Sequence, residues 1–176
     1  KKRMENHAKD FFHKGVKVAV YNCPEILTAS SSVFIGGEIS LYPLLAALEK
    51  ESPTSPFTQK ILSQAQSHMK EGCSWRQLVQ MSIDFLQLPA VRDLCRFEKW
   101  PQHSQPDVME KTLTLCDEMS NLQKTNKQEI AALLSELVFQ GSAKIMITDI
   151  WHPTSAVRWI GHDILAKVIA EFNHHE

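Results

Sequence analysis

Apolar side chains recur at every third or fourth position along most of the chain, from about residue 38 to residue 172. Such spacing places apolar groups on one side of an α-helix, so the pattern predicts seven or eight helices joined mostly by short polar connections. Because consecutive helices with short connections are usually antiparallel neighbours, we expect stacked antiparallel helical hairpins. These predicted helices cover residues 38–51, 57–71, 75–88, 90–100, 107–124, 126–141 and 154–172, and a short basic helix precedes them at residues 4–14.

Particular residue types mark where these helices begin and end. A hydroxyl or amide side chain before a helix accepts from its first free N–H groups, and proline is tolerated in the first turn. Glycine often ends a helix because it adopts left-handed backbone without strain. The signals are Ser74, Asn126 and Thr154 or Ser155 as caps, Pro43 in a first turn, and Gly72 and Gly141 at helix ends.

Two short stretches before residue 38 favour β-strands. Val16, Val18 and Val20 alternate with other residues, and residues 33–35 form a second apolar run. A later run, residues 143–150, fits either a strand or a helical turn. We therefore predict a mainly α fold that leaves room for a small two-stranded β element near the N-terminus. A single helical domain, 1–176, is expected, with a basic helix and short strand-like segments in 1–37 and the helical core in 38–176.

Composition excludes several classes of protein. Of the 176 residues, 43% are apolar and 22% charged, with a net charge of −1 and only six glycines and eight prolines, so the chain is neither disordered nor collagen-like. Its apolar runs fall short of the roughly 20 residues that cross a bilayer, and we expect a soluble protein without a membrane partner. The start at Lys1 rather than Met, without an apolar leader, is interpreted as a piece of a longer protein.

The cysteines indicate a reducing compartment. They are widely spaced, contain no Cys-x-x-Cys pair and lack the density of a small secreted scaffold. We expect reduced thiols in the core and an intracellular location, nuclear or cytoplasmic. The four are Cys23, Cys73, Cys95 and Cys116.

The best candidate for catalysis is the segment from Asp149 to Pro153. An Asp three residues before a His can hold the imidazole in the orientation of a general base. Asp149 and His152 are therefore the catalytic residues of an alternative, enzymatic function. This Asp-x-x-His-Pro block resembles the last block of SGNH (GDSL-type) hydrolases, and residues 33–40 faintly resemble their nucleophile strand. Where that family has Gly-Asp-Ser, this chain has glycine, glycine and Glu38. The resemblance implies a hydrolase remnant, which is one alternative function.

The same region admits a second comparison. Residues 153–158, followed by Leu165, resemble the second helix of a HEAT repeat, in which Val157 and Arg158 would pack on the neighbouring hairpin. The resemblance implies a bundle or an irregular HEAT-like array. This agrees with the helical majority of the chain.

Neither a metal nor a cofactor is expected. His152 and His162 lie near acidic residues, but their spacing does not place several ligands on one face, and the terminal histidines are interpreted as solvated. The chain also lacks a glycine-rich phosphate loop.

Positive charge is concentrated at the N-terminus. Residues 1–17 hold six basic side chains against two acidic ones, and such a face attracts phosphates. A nucleic-acid-associated module is therefore a further alternative function. Its contact residues would be Lys1, Lys2, Arg3, Lys9, Lys14 and Lys17.

The function predicted first is a protein-interaction or scaffold module of a larger intracellular protein. A partner protein or peptide segment would dock on a helical surface, with apolar anchors supplying affinity. Tryptophan and arginine are enriched among such anchors, so Trp151, Arg158 and Trp159 are the predicted partner-binding residues. These patterns favour an interaction module over an enzyme.

Overall fold

The structure is a computed structural model, and it describes residues 2–24, 26, 36–94, 106–125 and 129–173. Within these ranges the chain forms eight α-helices and one two-stranded sheet, so the predicted mainly α fold with a small β element is confirmed. The elements are α1 (Lys2–His13), β1 (Val20–Asn22), a 3-10 helix (Gly37–Ser40), α2 (Pro43–Glu51), α3 (Pro56–Ser67), α4 (Trp75–Gln87), α5 (Pro89–Leu94), α6 (Pro106–Asn121), α7 (Glu129–Asp149), β2 (Val157–Trp159) and α8 (His162–Asn173). The strand predicted at 33–35, the helix residues 95–100, Cys95 and the Asn126 cap lie outside the described residues.

Helix α2 lies at the centre of the core. It packs against α3, α4 and α8, and α8 also packs against α7. Complete burial of a leucine or isoleucine side chain contributes about 1.5–3 kcal/mol, so this shared core is the main source of stability. The largest fully buried side chains are Ile39, Leu41, Tyr42, Leu44, Leu45, Leu48, Leu78, Met119, Ile130, Leu134, Leu165 and Ile169.

The start of α4 follows the sequence prediction. The Ser74 hydroxyl accepts from the backbone N–H of Arg76 at 3.1 Å, and Gln77 Oε1 accepts from the backbone N–H of Ser74 at 2.7 Å. This reciprocal capping box satisfies donors that the first turn leaves free. Pro43 likewise occupies the first turn of α2.

Helix α3 ends one turn earlier than predicted. The chain after it pairs instead with the segment after α6: Met69 forms an antiparallel bridge with Gln123, and the Lys70 N–H donates to the Leu122 carbonyl at 2.9 Å. Gly72, with φ of +77°, therefore lies in the turn before α4 and is not the cap of α3.

Gly141 does not end a helix, because α7 runs through it. A Cβ at Gly141 would lie 2.8 Å from Cδ2 of Leu165, so α8 approaches α7 where only glycine leaves room. The helix continues to Asp149, and the stretch left open between strand and helix is therefore helical.

The helix predicted from residue 154 is wrong over its first two turns. Val157 to Trp159 form β2, which pairs in parallel with β1, so that Tyr21 stands opposite Arg158. The Val20 N–H donates to the Ala156 carbonyl at 2.9 Å at one end of the pair. The HEAT-like placement of residues 157–158 on a helix is thus corrected, because a strand more than 130 positions earlier supplies hydrogen bonds that periodicity cannot anticipate.

Among the described residues, α7 alone is long and apolar enough to cross a membrane by length and composition. Half of its 18-residue apolar window is buried inside the protein. Core helices pass the same test, and the packing of α7 on α8 assigns it to the core.

Candidate functional site

Three elements meet at the carboxylate of Asp149, the last residue of α7. Arg158 on β2 forms an ion pair with it through Nη1, and the Tyr21 hydroxyl on β1 donates to Oδ2 at 3.5 Å. Tyr21 and Arg158 reach the same carboxylate because they are paired in register and project from the same face of the sheet. The side chains of Asp149 and Arg158 are 14% and 32% exposed, so the pair is largely shielded from water.

The phenol of Tyr21 stays protonated beside this pair. Burial raises its pKa above the ordinary value of 10.0, the charge of Asp149 raises the pKa further, and Arg158 opposes both. At neutral pH Tyr21 is therefore a hydrogen-bond donor to the carboxylate.

A cavity of about 360 Å³ opens beside Asp149 and Arg158, between α7 and α8. Its volume is at the lower end of the range for small-molecule sites, about 300–1,000 Å³. Two cations and two carboxylates line it together with apolar groups, so it suits a ligand with both polar and apolar parts. The lining residues are Lys144, Ile145, Thr148, Asp149, Arg158, Val168 and Glu171.

The structure does not bring the His152 imidazole to the Asp149 carboxylate. The side chain of His152 is exposed, and its backbone N–H donates to the Asp149 carbonyl at 3.0 Å. The carboxylate instead contacts Arg158 and Tyr21.

The three predicted partner-binding residues do not form one surface. Trp151 and Trp159 are 71% and 62% exposed, whereas Arg158 turns inward to Asp149. Arg158 and Trp159 are consecutive on a strand and therefore point to opposite faces of the sheet.

The predicted basic face lies mainly on α1. Lys2, Arg3 and Lys9 project from the helix into solvent, and Lys14 and Lys17 follow it in the exposed connection to β1. Lys14 also lies over the ring of Phe11, with Nζ 5.8 Å from the ring centre. Lys1 lies outside the described residues.

A second polar cluster is buried between the 3-10 helix, α2 and α6. Glu38 is only 7% exposed, and its carboxylate accepts from the Gly36 N–H at 3.0 Å. It lies with Tyr42 and Cys116 around a cavity of about 120 Å³. Sequence analysis missed this cluster, although a charged residue at the start of the apolar run 38–51 was a signal for it.

The phenol of Tyr42 and the thiol of Cys116 both stay protonated at neutral pH. Burial raises the pKa of Tyr42 to about 12, against the effect of its hydrogen bond with Gln123. Burial, and then the charge of Glu38, raise the pKa of the Cys116 thiol to about 12. Since the thiolate is the nucleophilic form, Cys116 is a hydrogen-bond donor here and not a nucleophile.

His162 links the start of α8 to the 3-10 helix through a hydrogen bond. Its Nε2–H donates to the Ser40 carbonyl oxygen over 2.7 Å, and burial lowers the imidazole pKa, an effect that the hydrogen bond and Asp163 partly offset. The ring is therefore neutral at neutral pH. Sequence analysis had not given His162 this structural role. Over the described ranges, no group of three or more His, Cys, Asp or Glu residues is arranged to hold a metal ion.

The comparison with protein families identifies the class. A family model described as "Enoyl-acyl carrier protein reductase FabMG" matches residues 1–169, and the chain therefore belongs to this family.

Two solved structures extend the comparison. The ligand-free structure of FabMG, described as a novel type of enoyl-acyl carrier protein reductase, is 31% identical, with a TM-score of 0.87 over 100% of this chain. The NADH-bound structure of FabMG is 29% identical, with a TM-score of 0.68 over 98% of this chain. The chain spans only 40% and 41% of the length of these proteins. No curated protein matches.

The family overturns the function predicted first. A family of reductases is a family of enzymes, so the protein-interaction or scaffold module with a docked partner segment is wrong, as is nucleic-acid association through the basic N-terminus. The hydrolase alternative is also wrong, because its resemblance rested on two short blocks whereas the family match covers nearly the whole chain. The predicted intracellular location agrees with the family, and its nuclear form has no support.

Proposed function

We propose that this chain forms a helical part of an enoyl-acyl carrier protein reductase that uses NADH. Such an enzyme reduces the carbon–carbon double bond beside the thioester of an acyl group carried on acyl carrier protein. The observation that carries the proposal is the match of the FabMG family model to residues 1–169. The superposition of a solved FabMG chain on the whole of this one supports it. A cytoplasmic location follows from this activity.

The described residues do not by themselves fit the dinucleotide. Dinucleotide sites usually place a pyrophosphate on a helix N-terminus behind a glycine-rich turn that follows a strand. Here β2 leads through Gly161 into α8, but Oδ1 of Asp163 lies 2.6 Å from where a Cβ of Gly161 would stand. A carboxylate already neutralises this helix end and would repel a phosphate.

The cavity between α7 and α8 is the best candidate for ligand contact in this chain. It combines the apolar Ile145 and Val168 with the charged Lys144 and Arg158. A larger depression of about 500 Å³ is lined, among the described residues, by α6, and three carboxylates there disfavour an anionic ligand. We assign Asp149 and Arg158 a positioning role, since each holds the other at the mouth of the α7–α8 cavity.

We also propose that residues 1–176 form one domain. The support is that β1, near the N-terminus, pairs with β2, near the C-terminus, and that one apolar cluster runs from Ile39 to Ile169.

The activity is tested by following NADH oxidation at 340 nm in the presence of trans-2-butenoyl-acyl carrier protein. We expect substrate-dependent oxidation by the protein. Val168→Trp, which fills the α7–α8 cavity, should raise KM several-fold, whereas Val108→Trp, at another half-buried helix position outside the cavity, should leave KM unchanged. Absence of oxidation with any enoyl thioester would contradict the proposal.

A further inference from the structure

Helix α7 carries large apolar side chains on its inner side and also on part of its outer side, beside exposed polar residues such as Gln140 and Lys144. Its inner side buries Leu134, Val138 and Ile145 against the core. Its outer side exposes Phe139, Met146 and Ile147, of which Phe139 is 60% and Ile147 68% exposed. A surface helix of a complete globular protein normally carries polar residues on the side away from the core.

The exposed apolar residues are contiguous. At about 100° per residue, positions 139, 143 and 146 fall within a narrow sector of the helix surface, and position 147 borders it. The turn after the helix adds Ile150 and Trp151, which are 61% and 71% exposed. We define the outer face of α7 as Phe139, Met146, Ile147, Ile150 and Trp151. A continuous exposed patch of this kind marks an interaction surface.

We propose that the outer face of α7 is the surface on which the remaining part of a FabMG-type reductase packs. The solved FabMG chain superposes on all 176 residues, yet these match only 40% of its length, so more than half of that protein lies outside the matched region. Contacts between protein surfaces usually have an apolar centre surrounded by a polar rim. The inference rests on the proposed function only in taking such a reductase as the whole.

A membrane would cover the outer face of α7 less well than the remaining part of the reductase does. For α7 to cross a bilayer, its inner side would have to leave α8, and Leu134, Val138 and Ile145 would lose their packing. The remaining part of the reductase covers the outer face while the inner contacts stay in place.

Photo-crosslinking tests the proposal in cells that produce the protein from its own gene. A benzoylphenylalanine at position 147 should form a cross-link, identified by mass spectrometry, to polypeptide that aligns with the part of FabMG outside the matched region. The matched control replaces Gln64, an exposed residue of α3, and should give no such product. A cross-link from position 147 to residues 1–176 of a second copy, to lipid, or to nothing would overturn the proposal.

Ile147→Glu provides a second measurement. With benzoylphenylalanine placed at position 150 instead, a charge at position 147 should lower the yield of that cross-link about tenfold or more, with an unchanged circular dichroism spectrum. Gln64→Glu should have no effect. Both measurements are independent of turnover, so a cross-link without NADH oxidation would refute the proposed activity and leave this interface standing.

Discussion

At the scale of single residues, the carboxylate of Asp149 is a junction between parts of the chain far apart in sequence. Arg158 and Tyr21 approach it from two strands, and their contacts hold the end of α7 against the sheet. Removing one partner of a shielded pair leaves the other charge without compensation, which costs more than the pair itself contributes.

We expect Asp149→Asn to lower the free energy of unfolding by about 1–3 kcal/mol, because the guanidinium of Arg158 stays half-buried without its counter-charge. Urea unfolding followed by circular dichroism measures this. Glu49→Gln, which breaks the more exposed pair with Arg76, is the matched control and should cost about 0–1 kcal/mol. Equal losses in the two variants would show that burial does not distinguish these pairs.

His162 is expected to make the free energy of unfolding depend on pH. Burial lowers its pKa in the folded state below the ordinary value of 6.5, so the unfolded chain binds a proton more readily. The contribution of neutral His162 to stability is complete above pH 6.5 and is lost as pH falls through the folded pKa. His162→Gln keeps an N–H for the Ser40 carbonyl but cannot titrate. Unfolding free energies at pH 7.5 and pH 5 should therefore differ less in this variant than in the natural protein, and an unchanged difference would exclude His162 as the cause.

At the scale of elements, the contact between α7 and α8 depends on Gly141. Alanine is better than glycine inside a helix by about 1 kcal/mol, but overpacking a core costs about 1–3 kcal/mol. We expect Gly141→Ala to be destabilising because its Cβ would lie 2.8 Å from the fully buried Leu165.

The test of this prediction is a double-mutant cycle in thermal unfolding. In a Leu165→Ala background, Gly141→Ala should become neutral or stabilising, since the clash is gone and only the helix preference remains. If Gly141→Ala is equally destabilising in both backgrounds, the close approach of the helices is not the reason for glycine.

The success of sequence analysis differed between elements for a physical reason. Capping by Ser74 is local, because its partner Gln77 lies three residues away, and it was predicted correctly. The roles of Gly141 and of residues 157–159 depend on partners in α8 and β1, and both were predicted wrongly. Local hydrogen bonds depend on residues that are neighbours in sequence, whereas helix packing and strand pairing depend on residues that are distant in sequence.

The same distinction explains the candidate site. Asp149 and Arg158 were both singled out from sequence, but for separate roles, because nothing in the spacing says that α7 ends beside β2. Tyr21 was not considered, since its contact crosses 128 positions. The reductase family itself could not be inferred from the motifs sought, as the described residues lack a glycine-rich strand–turn–helix unit.

At the scale of the whole molecule, the pairing of β1 with β2 ties both ends of the helical core together. Val20→Pro removes the N–H that donates to the Ala156 carbonyl, and a proline in a strand pair is strongly disfavoured. We expect faster hydrogen exchange at residues 157–160 and a lower melting temperature. Lys17→Pro, in the exposed connection before β1, is the control and should leave both unchanged.

This parallel pairing also dictates when the protein can finish folding. During synthesis on the ribosome, β1 emerges early but must wait for about 135 further residues before its partner strand exists, and such distant pairings form slowly. Until then its edge is unsatisfied and open to other chains. Nascent chains that stall before residue 157 are therefore the form of this protein most exposed to aggregation.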